Sequence, residues 1–167
     1  MTNDQPQSVE QTTGPPVDPR WGELADLALI ISREIQFRGY ADERAVSLTP
    51  SEGMVMRFLQ RETAVAPSRI ADATGLQRTN LSAVLRGLER RGLIEREAQP
   101  DDGRGVIVRV TERGRTNYAL VRHEWATAVS AAGGDDSDLD TALTLLRTVT
   151  AGLVSTRPRS PYSQPAA

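Results

Sequence analysis

Residues 77–110 read QRTNLSAVLRGLERRGLIEREAQPDDGRGVIVRV, and no other stretch restricts the fold so tightly. Leu81, Val84, Leu85 and Leu88 recur at helical spacing on one side, while Gln77, Arg78, Thr79, Asn80 and Ser82 crowd the front. Gly92 stops that helix. Leu93, Ile94 and the run Val106, Ile107, Val108, Arg109, Val110 are β-rich, and the second run puts its three valines on one face. Between them Gln99, Pro100, Asp101, Asp102, Gly103, Arg104 and Gly105 are dense in turn formers. A helix with a polar front, running into a hairpin with an Asp-Gly-Arg tip, suits a reading helix and a wing that grips a sugar-phosphate backbone.

The flanking sequence supplies the rest of a small helical domain. Thr49, Pro50 and Glu52 spell a capping box with proline at the first helical position, which opens a helix through Met54, Val55, Phe58 and Leu59. Pro67 starts a short helix with Ile70 and Ala71 inward, ending near Gly75. Upstream, Leu24, Leu27, Ala28, Ile31 and Ile35 form an apolar stripe, and Leu29 and Ile30 widen it beyond what one partner helix covers. That width points to burial on two sides, as in an oligomer. Downstream, Thr111 can cap a long helix through Tyr118, Val121, Trp125 and Val129, broken at Gly133 and Gly134. Asp135, Asp136 and Ser137 offer cap and dipole partners to a last helix carrying Leu139, Leu143, Leu146, Val149 and Leu153.

Composition excludes several functions. The chain has no cysteine, so disulfides, thiolate metal sites and thiol redox sensing are ruled out. Its single histidine, His123, supports no metal site and reads as a surface or hydrogen-bonded residue. No nucleophile–base pair or phosphate-binding glycine loop is evident, so no enzymatic activity and no cofactor are expected. No apolar run approaches the ~20 residues of a membrane span, and a secretory leader is not recognisable. A cytoplasmic protein is expected. Residues 57–115 hold 12 arginines against 8 acids, although the whole chain carries a net charge of −2. This asymmetry fits a basic working face on a central segment with acidic flanks.

Helix, short helix, turn, helix and hairpin in that order make a winged helix-turn-helix. The chain resembles the MarR family of transcriptional regulators. The resemblance rests on Leu48-Thr49-Pro50-Ser51-Glu52, on Ile70-Ala71 with Gly75-Leu76, and on Arg78-Thr79-Asn80-Leu81-Ser82. It continues through Leu88-Glu89-Arg90-Arg91-Gly92-Leu93-Ile94, Asp101-Asp102-Gly103-Arg104 and Val110-Thr111-Glu112-Arg113-Gly114. It is strong between residues 49 and 114; in the outer helices only lengths and apolar stripes agree. The implied fold is mostly α with a small β-wing, the winged helix-turn-helix being flanked by N- and C-terminal dimerisation helices. The implied organisation is a disordered tail over residues 1–19, a dimerisation helix over 20–45 and the DNA-binding lobe over 46–115. Dimerisation helices over 116–156 and a disordered tail over 157–167 complete it.

The resemblance further implies an obligate homodimer reading a pseudo-palindromic operator, with half-sites roughly 34 Å apart. The function expected is a sequence-specific DNA-binding regulator, a repressor released by a small-molecule effector. Gln77, Arg78, Thr79, Asn80 and Ser82 are the base-reading candidates, since Arg pairs bidentately with guanine and Asn or Gln with adenine. Arg86, further along, suits phosphate. Arg104 matches the family's minor-groove arginine, and Asp102 the wing acid that orients it. Phe37, Tyr40, Phe58 and Tyr118 are the candidates for lining an effector pocket, with a small aromatic acid as ligand. Arg90 and Arg91 suit either phosphate contact or pairing with the helix C-terminus. Two departures stand out: Gln77 where a Ser or Thr cap is common, and Glu97 where a basic residue is common. A winged-helix module for protein–protein contact, without specific DNA binding, is the alternative.

Overall fold

The computed structural model of the chain describes residues 16–98, 105–133 and 135–158. The elements run α1 (Arg20–Phe37), α2 (Pro50–Leu59), α3 (Pro67–Thr74), α4 (Arg78–Arg90), β1 (Ile94–Ala98), β2 (Val106–Val110), α5 (Glu112–Gly133) and α6 (Leu139–Ser155). The architecture is a mostly helical winged helix-turn-helix. The chain divides into two units, one ending at Phe37 and the other beginning at Arg38.

The first unit holds α1, in which no residue is buried. Trp21, Leu27, Leu29, Ile30 and Ile31 all lie exposed, and the Arg33 guanidinium sits 5.2 Å from the centre of the Phe37 ring.

In the second unit each helix of the lobe starts and stops where local chemistry dictates. The Thr49 hydroxyl accepts the Glu52 N–H at 3.3 Å, and the Glu52 carboxylate accepts the Thr49 N–H at 3.0 Å. This reciprocal cap opens α2, with Pro50 supplying the fixed φ of the first turn. Thr49→Ala is expected to cost about 1 kcal/mol, read as a lower urea midpoint at unchanged m-value. Val55, Met56 and Leu59 fill the inner face of α2. Pro67 opens α3, which buries Ile70 and ends at Gly75 with φ +73°.

Leu81, Leu85 and Leu88 sit at i, i+4 and i+7, so the back of α4 drops into the same core. Its end is a Schellman turn: Gly92 at φ +67° donates to Glu89 and Leu93 donates to Leu88 at 3.0 Å. Leu93 and Ile94 then enter the core directly. β1 and β2 pair antiparallel from Ile94 against Val110 to Ala98 against Val106. Val65 adds a single bridge to Val108, closing the sheet against the loop before α3. Of the three valines of β2, Val108 and Val110 are buried; Val106 is exposed because it lies at the open end of the ladder.

Thr111 joins strand to helix. Its hydroxyl donates to the Gly92 carbonyl at 2.7 Å and accepts the Gly114 N–H at 3.0 Å. Gly114, Asn117, Tyr118 and Val121 then form the buried face of α5. Beyond Val121 no residue of the helix is fully buried, although Trp125 packs half-buried against the core, and α6 has no buried residue either. The start of α6 differs from the sequence expectation. Asp138 occupies its N-cap without a side-chain bond, and the Asp135 carboxylate accepts the Ser137 N–H at 2.9 Å instead of capping the helix. Among the described residues no helix is long and apolar enough to cross a membrane.

Candidate nucleic-acid interface

Burial of Leu81, Leu85 and Leu88 fixes which side of α4 faces outward. Gln77, Arg78, Thr79, Asn80, Ser82 and Arg86 all lie exposed on it. Arg78, Asn80 and Gln77 together offer a guanidinium fork and two amide groups, the side chains able to make paired hydrogen bonds to purine edges. The Ser82 hydroxyl donates to the Arg78 carbonyl at 2.9 Å, so its proton is committed and only its oxygen lone pairs remain for a base. Gln77 holds the N-cap position with no side-chain bond to the helix. The first-turn N–H groups of α4 are therefore left for water or an anion.

The back end of α4 is held far more firmly than its front. Glu89 pairs with Arg96 of β1, which ties α4 to the stem of the hairpin and holds the Glu89 carboxyl below its ordinary range. Arg91, at the C-cap, is fully engaged. Its guanidinium donates to the Gly87 carbonyl at 3.0 Å, to the Ser47 carbonyl at 2.9 Å and to the Glu52 carboxylate. Of the two neighbouring arginines, Arg90 alone stays exposed, with no side-chain partner among the described residues.

On the wing stem, Glu97 lies 3.3 Å from Arg109, which also donates to the Thr63 carbonyl at 3.2 Å. The acid at a position where a base is common is thus partly neutralised across the ladder. Asp102 and Arg104, the expected wing-tip pair, lie outside the described residues.

The proposed effector aromatics are not alike. Tyr118 belongs to the buried core, while Tyr40 and Phe58 are half-buried against it. Phe37, at the end of α1, is 70% exposed. His123 is exposed and adds a small favourable charge to Asp42, whose carboxyl is held at about 2 chiefly by Arg44. Among the described residues no cluster of three or more His, Asp or Glu side chains is placed to hold a metal.

Two anchoring groups escaped the sequence reading. The Asn117 side chain clasps the backbone of Val46, accepting its N–H at 2.7 Å and donating to its carbonyl at 3.0 Å. The Glu124 carboxylate accepts the N–H groups of Ala41 at 2.9 Å and Asp42 at 3.2 Å. A polar residue at a core position of α5 is the only advance signal, and Asn117 carries it: it sits one residue before Tyr118 on the buried face.

Residues 46–105 match the MarR family. No curated protein matches the chain. Among solved structures, the repressor CouR bound to a 23-mer DNA duplex is 26% identical, covers 81% of this chain and 99% of its own, and superposes with TM-score 0.61. NadR in complex with 4-hydroxyphenylacetate is 19% identical over 89% of this chain and 99% of its own, with TM-score 0.62. Apo MarR from E. coli is 18% identical over 80% of this chain and 98% of its own, with TM-score 0.61.

Proposed function

We propose that this chain, whose winged-helix lobe belongs to the MarR family, is a homodimeric, sequence-specific DNA-binding repressor released by a small aromatic effector. The observation that carries the reading is α4: its apolar side is locked in the core while Gln77, Arg78, Thr79, Asn80 and Ser82 stand exposed at its leading end. Direct readout needs that combination, because base edges are distinguished only by side chains held in fixed register with the major groove. The likeness to a repressor bound to DNA supports the same role.

Dimerisation is supported by apolar surface left exposed among the described residues. Leu27, Leu29, Ile30 and Ile31 on α1 and Leu145, Leu146, Leu153 and Val154 on α6 are all exposed. Such a quantity of exposed leucine and isoleucine on two helices suits an interface. Effector release is supported by NadR, which binds 4-hydroxyphenylacetate. Phe37, Tyr40, Phe58 and Tyr118 remain the proposed lining residues, and the ligand would act by preferring a spacing of the two reading helices unsuited to DNA. Arg104 is proposed to enter the minor groove, with Asp102 orienting it; these two rest on the sequence resemblance alone.

Arg78→Ala is the direct test of base reading. Its affinity for the best duplex is expected to fall by about 1–3 kcal/mol while preference is relaxed at one base position. Competition titrations against duplexes altered one base pair at a time provide the readout. Equal losses on specific and non-specific DNA would overturn the role given to Arg78.

A further inference from the structure

We propose that Glu52 and Arg91 are positioning residues for the reading helix, acting through a clamp on residues 46–52 and not by touching DNA. The inference rests on the DNA-reading role of α4 and assigns the residues that aim it.

Leucines alone cannot aim a helix. The contacts of Leu81, Leu85 and Leu88 resist separation of α4 from the core, but apolar packing is non-directional and tolerates small rotation and sliding. Base readout does not, because paired hydrogen bonds fail over displacements of a fraction of an ångström to about one ångström. Directional bonds at the rear of α4 supply what the leucines lack. The Arg91 fork ends on acceptors from three places: Gly87 in α4 itself, Ser47 in the loop before α2, and Glu52 in the first turn of α2. A planar guanidinium with three fixed acceptors has one satisfactory orientation.

The clamp is also closed on its far side. The second Glu52 oxygen accepts the Thr49 N–H, so the carboxylate is held from both ends. α4 passes so near that a Cβ on Gly87 would lie 3.1 Å from the Glu52 carboxylate. The loop that offers Ser47 is pinned one residue earlier, where Asn117 of α5 clasps both polar groups of Val46. Side-chain exposure is 12% for Glu52 and 30% for Arg91. A guanidinium so placed, with its charge matched by a buried carboxylate, is poorly disposed to bind phosphate. It instead links α5, α2 and α4 in one hydrogen-bonded frame.

The test compares wild type with Glu52→Gln, Arg91→Ala, Arg91→Lys and the Glu52→Gln/Arg91→Ala double variant, on a selected duplex and a scrambled one over a range of salt. Each single variant is expected to lose about tenfold in affinity for the selected duplex and to change little on the scrambled one, with the salt slope unchanged. The double variant should be no worse than Arg91→Ala alone, since the Glu52–Arg91 contact is already lost there. Lysine should fail to rescue, because one ammonium cannot satisfy the fork. A phosphate contact predicts otherwise. Arg91→Ala would then weaken both duplexes equally with a slope shallower by about 0.9, lysine would rescue, and Glu52→Gln would tighten binding; any of these overturns the proposal.

Amide exchange supplies a readout without DNA. In the isosteric Glu52→Gln protein, the last turn of α4 should exchange faster than in wild type while the α5 amides stay protected. Unchanged exchange there would refute the clamp. A wild-type protein that prefers no DNA sequence would defeat the regulator reading, while this exchange result would still judge the clamp. Glu52→Gln also keeps the test decisive if Arg91→Ala does not fold.

Discussion

Gly114→Ala is expected to destabilise the winged lobe by about 3 kcal/mol or more, at the upper end of what overpacking costs. A Cβ at this position would lie 2.0 Å from the Leu93 carbonyl oxygen, 2.9 Å from its carbon and 3.0 Å from a Val110 methyl. The first of these is backbone, so no rotamer change relieves it. Leu93 is itself fixed on both sides, donating to Leu88 in the turn that ends α4 and accepting from Thr111 at 3.2 Å. The start of α5 can move away only by breaking the Thr111 bonds to Gly92 and Gly114 or by uncovering Val110 and Val121. Urea unfolding followed by far-UV circular dichroism gives the value. A change below about 1 kcal/mol would mean that α5 does not approach the strand junction this closely.

Leu88→Ala is expected to cost about 3 kcal/mol, within the range for truncating a fully buried leucine. Leu88 has no exposed surface, and its carbonyl accepts the Leu93 N–H that closes the end of α4. The cavity would open beneath the last turn of α4, beside the Glu89–Arg96 and Glu52–Arg91 pairs. Loss of stability and loss of DNA affinity should therefore appear together, in contrast to Arg78→Ala, which should spare stability. Denaturant midpoints and duplex titrations on both variants make the comparison.

Much of the lobe was legible because its signals are local. The Thr49–Glu52 cap spans four residues, Pro67 and Gly75 bracket α3, and Gly92 ends α4 with the positive φ that its position requires. The period of Leu81, Leu85 and Leu88 gave the inner face, and by subtraction the exposed front. What escaped the sequence is long-range and polar. Arg91 meets Glu52 across 39 residues and Asn117 meets Val46 across 71. Nothing in a charge pattern tells an arginine bound for a carboxylate from one bound for phosphate. Arg90 and Arg91 illustrate the point, being neighbours with opposite fates. Aromatic content was equally mute about place: Tyr118 is core, whereas Phe37 is exposed. The cap of α6 moved from Asp135, Asp136 and Ser137 to Asp138 because clustered short polar residues can bond one another as readily as the helix.

Selection of duplexes from a random DNA pool by the purified full-length protein, near physiological salt, tests the central claim most directly. The expected result is enrichment of an inverted repeat whose arms lie about one helical turn, roughly 34 Å, apart. A folded protein that enriches no sequence, or one that retains all duplexes equally, would contradict it.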